Sequence, residues 1–402
     1  MGSIRSRRGG TLAKPTAGAS LIDAINLTRE LIRKPSVTPA DEGAMDLVQR
    51  ALEGLGFACR RMRFGGIENL YARYGTAAPN LCFAGHTDVV PVGDAAAWSQ
   101  GAFEAEVVDG VLIGRGAADM KSAIAAFAAA AERAIAAGTV TGSLSFLITG
   151  DEEGAATHGT RMVVEALGIE DEIVDHCVVG EPTSSEVFGD MIKVGRRGSM
   201  NAEITVHGVQ GHVAYPHRAA NPVPVLLRLL LRLQERRLDD GYPGFQPSNL
   251  EITQIDAPNE ATNIIPGTAR ARVNIRFNPH HTGDDLAEWI ATEADYMARS
   301  FEGTIEVVPQ VSGEAFLTEP GPFTELVAAA VCDVAGREPE HSTSGGTSDA
   351  RFIRQLCPVV ELGLVGATMH KVDERTPVAD ILQLQAVYER LIERYFTTFA
   401  AE

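Results

Sequence analysis

Three short stretches, NLCFAGH (80–86), GSLSFLITG (142–150) and HCVVGEP (176–182), constrain the fold more than anything else in the chain. Each is a largely apolar run of strand length that ends abruptly in histidine, glycine or carboxylate. Segments with helical spacing lie between and around them: EGAMDLVQRALEGLG (42–56), KSAIAAFAAAAERAIAAG (121–138) and RMVVEALG (161–168). Continuously apolar strands alternating with helices predict an α/β domain with a mostly parallel sheet covered on both faces. Ligands of such sheets bind beyond the carboxyl ends of the strands. That is where the polar clusters of this chain fall.

Beyond Gly198 the pattern changes. SMNAEITVHG (199–208), NLEITQI (249–255), TARARVNIRF (268–277) and TIEVVP (304–309) read as strands, whereas PVPVLLRLLLRLQER (222–236) and DDLAEWIATEADYMARS (284–300) read as helices. The order β-α-β-β-α-β is the ferredoxin-like arrangement. An inserted α+β domain over 198–311 is therefore expected, interrupting an α/β domain made of 21–197 and 312–402.

Composition narrows the function classes. A formal charge of −18 argues against a nucleic-acid partner. The longest helical apolar run, AIAAFAAAA, is nine residues, far short of the ~20 a membrane span needs. Residues 1–20 carry Arg5, Arg7, Arg8 and Lys14 but no apolar core, so they do not read as a secretory signal. They are expected to be a disordered or vector-derived leader. The five cysteines are scattered with no C-x-x-C spacing. They read as reduced, buried thiols of a cytoplasmic protein and exclude a thiolate zinc site.

At the strand ends stand His86 and Asp88 in HTDVVP, Asp151, Glu152 and Glu153 in GDEEG, and Glu181 in GEPT. Asp119 in GRGAADMK precedes a helix, and His370 follows a late strand in GATMHKVDE. Singly, each has an ordinary explanation: a helix N-cap, a solvated acidic turn, a hydrogen-bonded core histidine. Together on one rim they point to a metal site. Imidazole and carboxylate without thiolate suit Zn²⁺, Co²⁺ or Mn²⁺. Two histidines and three carboxylates serve two ions if one carboxylate bridges, and Asp119 is the natural bridge. A water between such ions, its pKa lowered from ~15.7 to roughly 7, is a nucleophile at neutral pH. One of Glu152 and Glu153 would then bind metal. The other would take the proton of the water and return it to a leaving amine.

GHTDVVP, GRGAADMK, GDEEG, GEPT and MHKVDE together resemble the co-catalytic zinc amidohydrolases and metallopeptidases, the family of aminoacylase, acetylornithine deacetylase and the carboxypeptidase G type. The likeness runs from about Leu21 to the C-terminus. It implies two Zn²⁺ per subunit, with Co²⁺ or Mn²⁺ able to substitute. His86, Asp119 and Glu181 would hold one ion, and Asp119, Glu153 and His370 the other. Glu152 would be the acid/base, Asp88 would hold the His86 ring, and the Asp119–Met120 peptide would be cis.

A further set, KVGRRGS, GVQGHVAYPH, ATNIIP and SGGTSDARF, narrows the resemblance to members that cleave a dicarboxylic amide. In them the positions of Arg196, Ser199, Tyr215, Asn263 and Arg276 hold substrate carboxylates, and those of Gly346 and Thr347 face the substrate. His212 would reach across a homodimer, formed through the inserted lid domain, to the scissile carbonyl. The partners implied are thus a small dicarboxylic amide and a second copy of the chain, with no nucleic acid and no membrane. A sibling deacylase, or a metal-binding protein without turnover, is the alternative. The presence of Glu152 and all five ligands speaks against the second.

Overall fold

The computed structural model describes residues 21–400, so the leader and its expected disorder lie outside the described residues. Its main sheet has eight strands in the spatial order Ala58–Phe64, Ile67–Tyr74, Ser143–Thr149, Asn80–His86, His176–Val179, Val359–Glu361, Met191–Lys193 and Glu340–Ser342. The four central strands, Ser143–Thr149 to Val359–Glu361, are parallel. The strands Asn80–His86 and Ser143–Thr149 are buried at every residue, as their largely apolar runs predict.

The sheet is mostly parallel, as expected, with antiparallel pairs towards both edges. Ala58–Phe64 and Ile67–Tyr74 form an antiparallel hairpin that pairs with Ser143–Thr149, also antiparallel. Gly65 and Gly66 turn the hairpin with φ of 53° and 92°, the positive values that a tight two-residue connection demands. At the other edge Met191–Lys193 meets Val359–Glu361 in antiparallel fashion and Glu340–Ser342 in parallel.

Helices Ala24–Ile32, Lys121–Ala136 and Val378–Thr398 cover one face. Asp23 caps the first by accepting from the main-chain N–H of Ile25 and Asn26. The alanines of Lys121–Ala136 let it pack closely against Val378–Thr398. There Phe127 stacks on Phe83 and meets Tyr388 edge-on.

Strands Gly198–His207, Asn249–Asp256, Thr268–Phe277 and Thr304–Gly313 form a separate antiparallel sheet in the order Asn249–Asp256, Thr268–Phe277, Gly198–His207, Thr304–Gly313. Helices Pro222–Glu235 and Gly283–Ala298 bury Leu229 and Ile290 against Ile204, Val273 and Phe277 in a core of its own. Each helix has an oxygen cap, from Asn221 and Thr282. This is the ferredoxin-like order. Gly198 starts its first strand against the Phe277 ring, where a Cβ would come within 2.2 Å. The strand pair Gly195–Arg196 and Phe316–Leu317 carries the chain into this unit and out of it.

Candidate metal centre

The register of the parallel sheet assembles the site. His86 lies level with Thr149 on the neighbouring strand, so both chains leave the sheet at the same height. His86 Nε2 stands 3.3 Å from Asp119 Oδ1 and 3.7 Å from Glu181 Oε1. His370 Nε2 stands 3.1 Å from Asp119 Oδ2 and 3.0 Å from Glu153 Oε1. The two oxygens of Asp119 therefore face two different trios, and the ligand atoms of each trio lie within 4.8 Å of one another. The Asp119–Met120 peptide is cis.

The donors fit a cation. His86 Nδ1 is 2.9 Å from the main-chain carbonyl of Asp88. A carbonyl only accepts, so Nδ1 carries the proton and Nε2 presents its lone pair to the site. That Nε2 and Asp119 Oδ1 are buried without a hydrogen-bond partner. Two facing, unbonded acceptors are what a cation between them satisfies.

The electrostatics of the cluster are those of crowded carboxylates. Burial, reinforced by the charge of Asp119, pushes Glu181 well above the usual carboxylate range. Burial and the charge of Glu181 do the same to Glu152. Burial would also raise Asp119, but the hydrogen bond from His370 and the closeness of the His86 ring hold it well below its ordinary value. Bonds to Asp119 and Glu153 lift His370 to about 10.

Asp119, Glu152, Glu153, Glu181 and His370 share a cavity of about 880 Å³ with Arg276, Gly346 and Thr347. The profile of the peptidase family M20/M25/M40 matches residues 82–394. The chain belongs to that family. A succinyl-diaminopimelate desuccinylase of Phenylobacterium zucineum is 78% identical over 378 residues, which cover 94% of this chain and 100% of the relative. One of Caulobacter vibrioides is 66% identical, over 97% of this chain and 100% of the relative. Among solved structures, an M20 metallo-carboxypeptidase of Sulfolobus solfataricus superposes with a TM-score of 0.79 at 17% identity, covering 93% of this chain and 99% of its own. A dinuclear metal-binding M20 peptidase of Bacillus subtilis gives 0.68 at 17% identity, covering 92% and 96%.

In this M20 chain the residues expected to hold substrate separate into three groups. Arg276, Gly346 and Thr347 line the cavity, and buried Ser199 lies directly across the strand pair from Arg276.

Arg196, expected to hold a substrate carboxylate, is paired within the protein. Its guanidinium is buried against Glu361, with Nε 3.0 Å from both carboxylate oxygens and Nη2 on Oε2. Nη1 donates to the carbonyls of Ser344 and Gly346. Its polar atoms are spent on the protein, and it fixes the SGGT loop from below instead of presenting a free fork. Gly345, with φ of 105°, leaves room for it: a Cβ there would meet Nη1 at 2.4 Å.

His212, Tyr215 and Asn263 stand elsewhere, exposed on the inserted unit and outside the cavity of their own chain. Val213 N–H donates to Asn263 O at 3.1 Å, and the His212 and Tyr215 rings are 5.7 Å apart.

Asp88, expected to hold the His86 ring, meets it through its main-chain carbonyl. Its carboxylate is 3.7 Å from His86 Nδ1 and accepts instead from the main-chain N–H of Glu152 and Glu153. The cavity also holds Arg161, Arg351 and Arg354, which sequence reasoning missed, although Arg351 lies within the quoted SGGTSDARF.

Proposed function

We propose that this M20 chain is a metal-dependent amide hydrolase that cleaves N-succinyl-LL-2,6-diaminopimelate to succinate and LL-2,6-diaminopimelate, a step towards lysine and diaminopimelate. One observation carries the chemistry: two ligand trios share Asp119 at one end of a cavity in which Glu152 stands beside them and belongs to neither. The desuccinylase name of relatives matched along their whole length supports the substrate.

His86, Asp119 and Glu181 would hold one Zn²⁺, and Asp119, Glu153 and His370 a second, with Co²⁺ or Mn²⁺ able to replace them. When bound, such ions lower the pKa of a water and polarise the amide carbonyl. The rest is the work of the chain. Glu152 takes the proton of the attacking water and gives it to the departing amine. The carboxylate of Asp88, bonded to the main chain of Glu152 and Glu153, keeps both side chains on their separate tasks. Arg276 meets a substrate carboxylate with its planar fork, and Thr347 and Gly346 face the substrate in the same cavity.

The inserted unit, 198–311, acts in this reading as lid and dimerisation domain. The exposure of His212, Tyr215 and Asn263, outside the cavity of their own chain, supports their service in the site of a second copy. There His212 would stabilise the developing oxyanion.

The test is direct. Full-length protein reconstituted with zinc is incubated with N-succinyl-LL-2,6-diaminopimelate, and both products are quantified. Equimolar, zinc-dependent release of succinate and diaminopimelate is expected. No release by protein that holds two ions would move the chain to the non-catalytic metal-binding reading.

A further inference from the structure

Arg115 and Glu374 form an ion pair that is almost wholly removed from solvent, with side-chain exposures of 2% and 0% and Nη1 2.7 Å from Oε2. Neither residue lines the cavity. Burying two charges is costly unless further hydrogen bonds satisfy them, and here those bonds have specific addresses.

The second oxygen of Glu374, Oε1, accepts three main-chain N–H groups: Gly116 at 3.1 Å, Ala118 at 2.9 Å and Asp119 at 3.0 Å. Arg115 donates to the carbonyl of Lys371, next to His370, and to that of Pro91, in the loop that follows His86 and Asp88, each at 3.2 Å. Trp98 covers the guanidinium at 5.3 Å. One pair thus touches the segments that carry His86, Asp119 and His370.

We infer that Glu374 is a positioning residue for the metal centre: it grips the main chain of Asp119 so that Oδ1 addresses His86 and Oδ2 addresses His370. A carboxylate that must serve two partners has little tolerance for rotation. Rotation of the Asp119 side chain that improves one contact spoils the other, so its main chain must be fixed from behind. Glu374 does this with three donors on one oxygen, and Arg115 balances the charge.

A shared ligand gives this role a signature. Displacing Asp119 weakens both ions together, whereas loss of an unshared ligand weakens one. The inference rests on the two-ion reading above, and its test separates the two. Metal-free full-length protein is titrated with Co²⁺ by calorimetry, and the cobalt-loaded form is examined by electron paramagnetic resonance for coupling between the ions.

Wild type should bind two ions. Glu374→Gln keeps the size of the side chain but directs an NH₂ at either Arg115 or the main-chain donors. It should weaken both dissociation constants by a similar factor, on the order of 10–100-fold for an outer-shell partner, and reduce the coupling. Asp239→Asn, which alters a hydrogen-bonded loop of the inserted unit, should bind cobalt as wild type does. Should Glu374→Gln fail to fold, Glu374→Asp reads the same quantities, since its charge is kept but it is one methylene short of the three N–H groups.

Wild type that binds fewer than two ions refutes the two-ion reading. Wild type that binds two, with folded Glu374→Gln binding both as tightly or losing only one, refutes the inference.

Discussion

Asp88 meets His86 through its main-chain carbonyl, 2.9 Å from Nδ1, and spends its carboxylate on the N–H groups of Glu152 and Glu153 at 3.2 and 3.0 Å. The residue therefore ties the strand end that bears His86 to the turn that bears Glu152, the proposed acid/base. Its carbonyl sets the imidazole tautomer, and its carboxylate sets the turn.

Asp88→Asn leaves the carbonyl untouched and replaces one acceptor oxygen by an NH₂. It should keep both ions but lower kcat by roughly 10–100-fold, the range for an outer-shell partner. Metal analysis beside steady-state kinetics checks this. Selective loss of one ion would mean that the carboxylate, and not the carbonyl, holds His86.

Adjacent Glu152 and Glu153 should behave as different residues. Glu152→Gln should retain both ions and lose turnover by ~10²–10⁴-fold, the contribution of a positioned proton carrier, or more. Glu153→Ala should lose one ion. Depletion of metal in the Glu152 variant with full occupancy in the Glu153 variant would exchange their roles.

The cluster of His212, Tyr215 and Asn263 predicts complementation. Glu152→Gln and His212→Ala subunits, each inactive alone, should regain activity when mixed and allowed to exchange, because a hybrid dimer contains one intact site. Mixed dimers shown by mass spectrometry to have formed, yet without activity, would mean that each chain completes its own site.

The parts of this site legible in the sequence are those that strand ends impose. His86, Glu152, Glu153 and Glu181 follow apolar runs whose burial on both faces leaves little choice of fold, and the parallel pairing brings those ends together. The hairpin over 58–74 was not legible. ACRRMRF places arginines within a strand, and the hairpin's own Gly65–Gly66 turn, not the helix alternation, dictates its pairing. The pairing of Arg196 with Glu361 was not legible, because the two lie 165 positions apart. Nothing in KVGRRGS says whether a guanidinium points at substrate or at a buried carboxylate. That Asp88 reaches the His86 ring was legible, but which of its oxygens does the bonding depends on the turn that follows Thr149.

Stability in acid should report a loop of the inserted unit. Burial would raise Asp239, but hydrogen bonds from Ser248, Gly241 and Asn278 lower it to about 2, against an ordinary value near ~3.9. A carboxyl depressed in the folded state contributes stability above its unfolded pKa and loses it as pH falls towards the folded one. The contribution should therefore be complete above about pH 4 and fade between there and about pH 2. Denaturant midpoints measured across that range should fall less steeply for Asp239→Asn than for wild type. Parallel curves would show that the carboxyl is not depressed.

The central claim is that the site reads a substrate with several carboxylates. A site built to pair polar groups rejects a ligand that leaves them unpaired by several orders of magnitude. N-acetylornithine offers one carboxylate and a neutral acetyl cap. The most direct measurement is kcat/KM for N-succinyl-LL-2,6-diaminopimelate against N-acetylornithine, on wild type and Arg276→Ala with both metal sites filled. The account predicts a wild-type ratio of ~10³ or more that shrinks in the variant through loss on the succinylated substrate. Comparable rates on the two substrates would contradict it and make the chain a sibling deacylase.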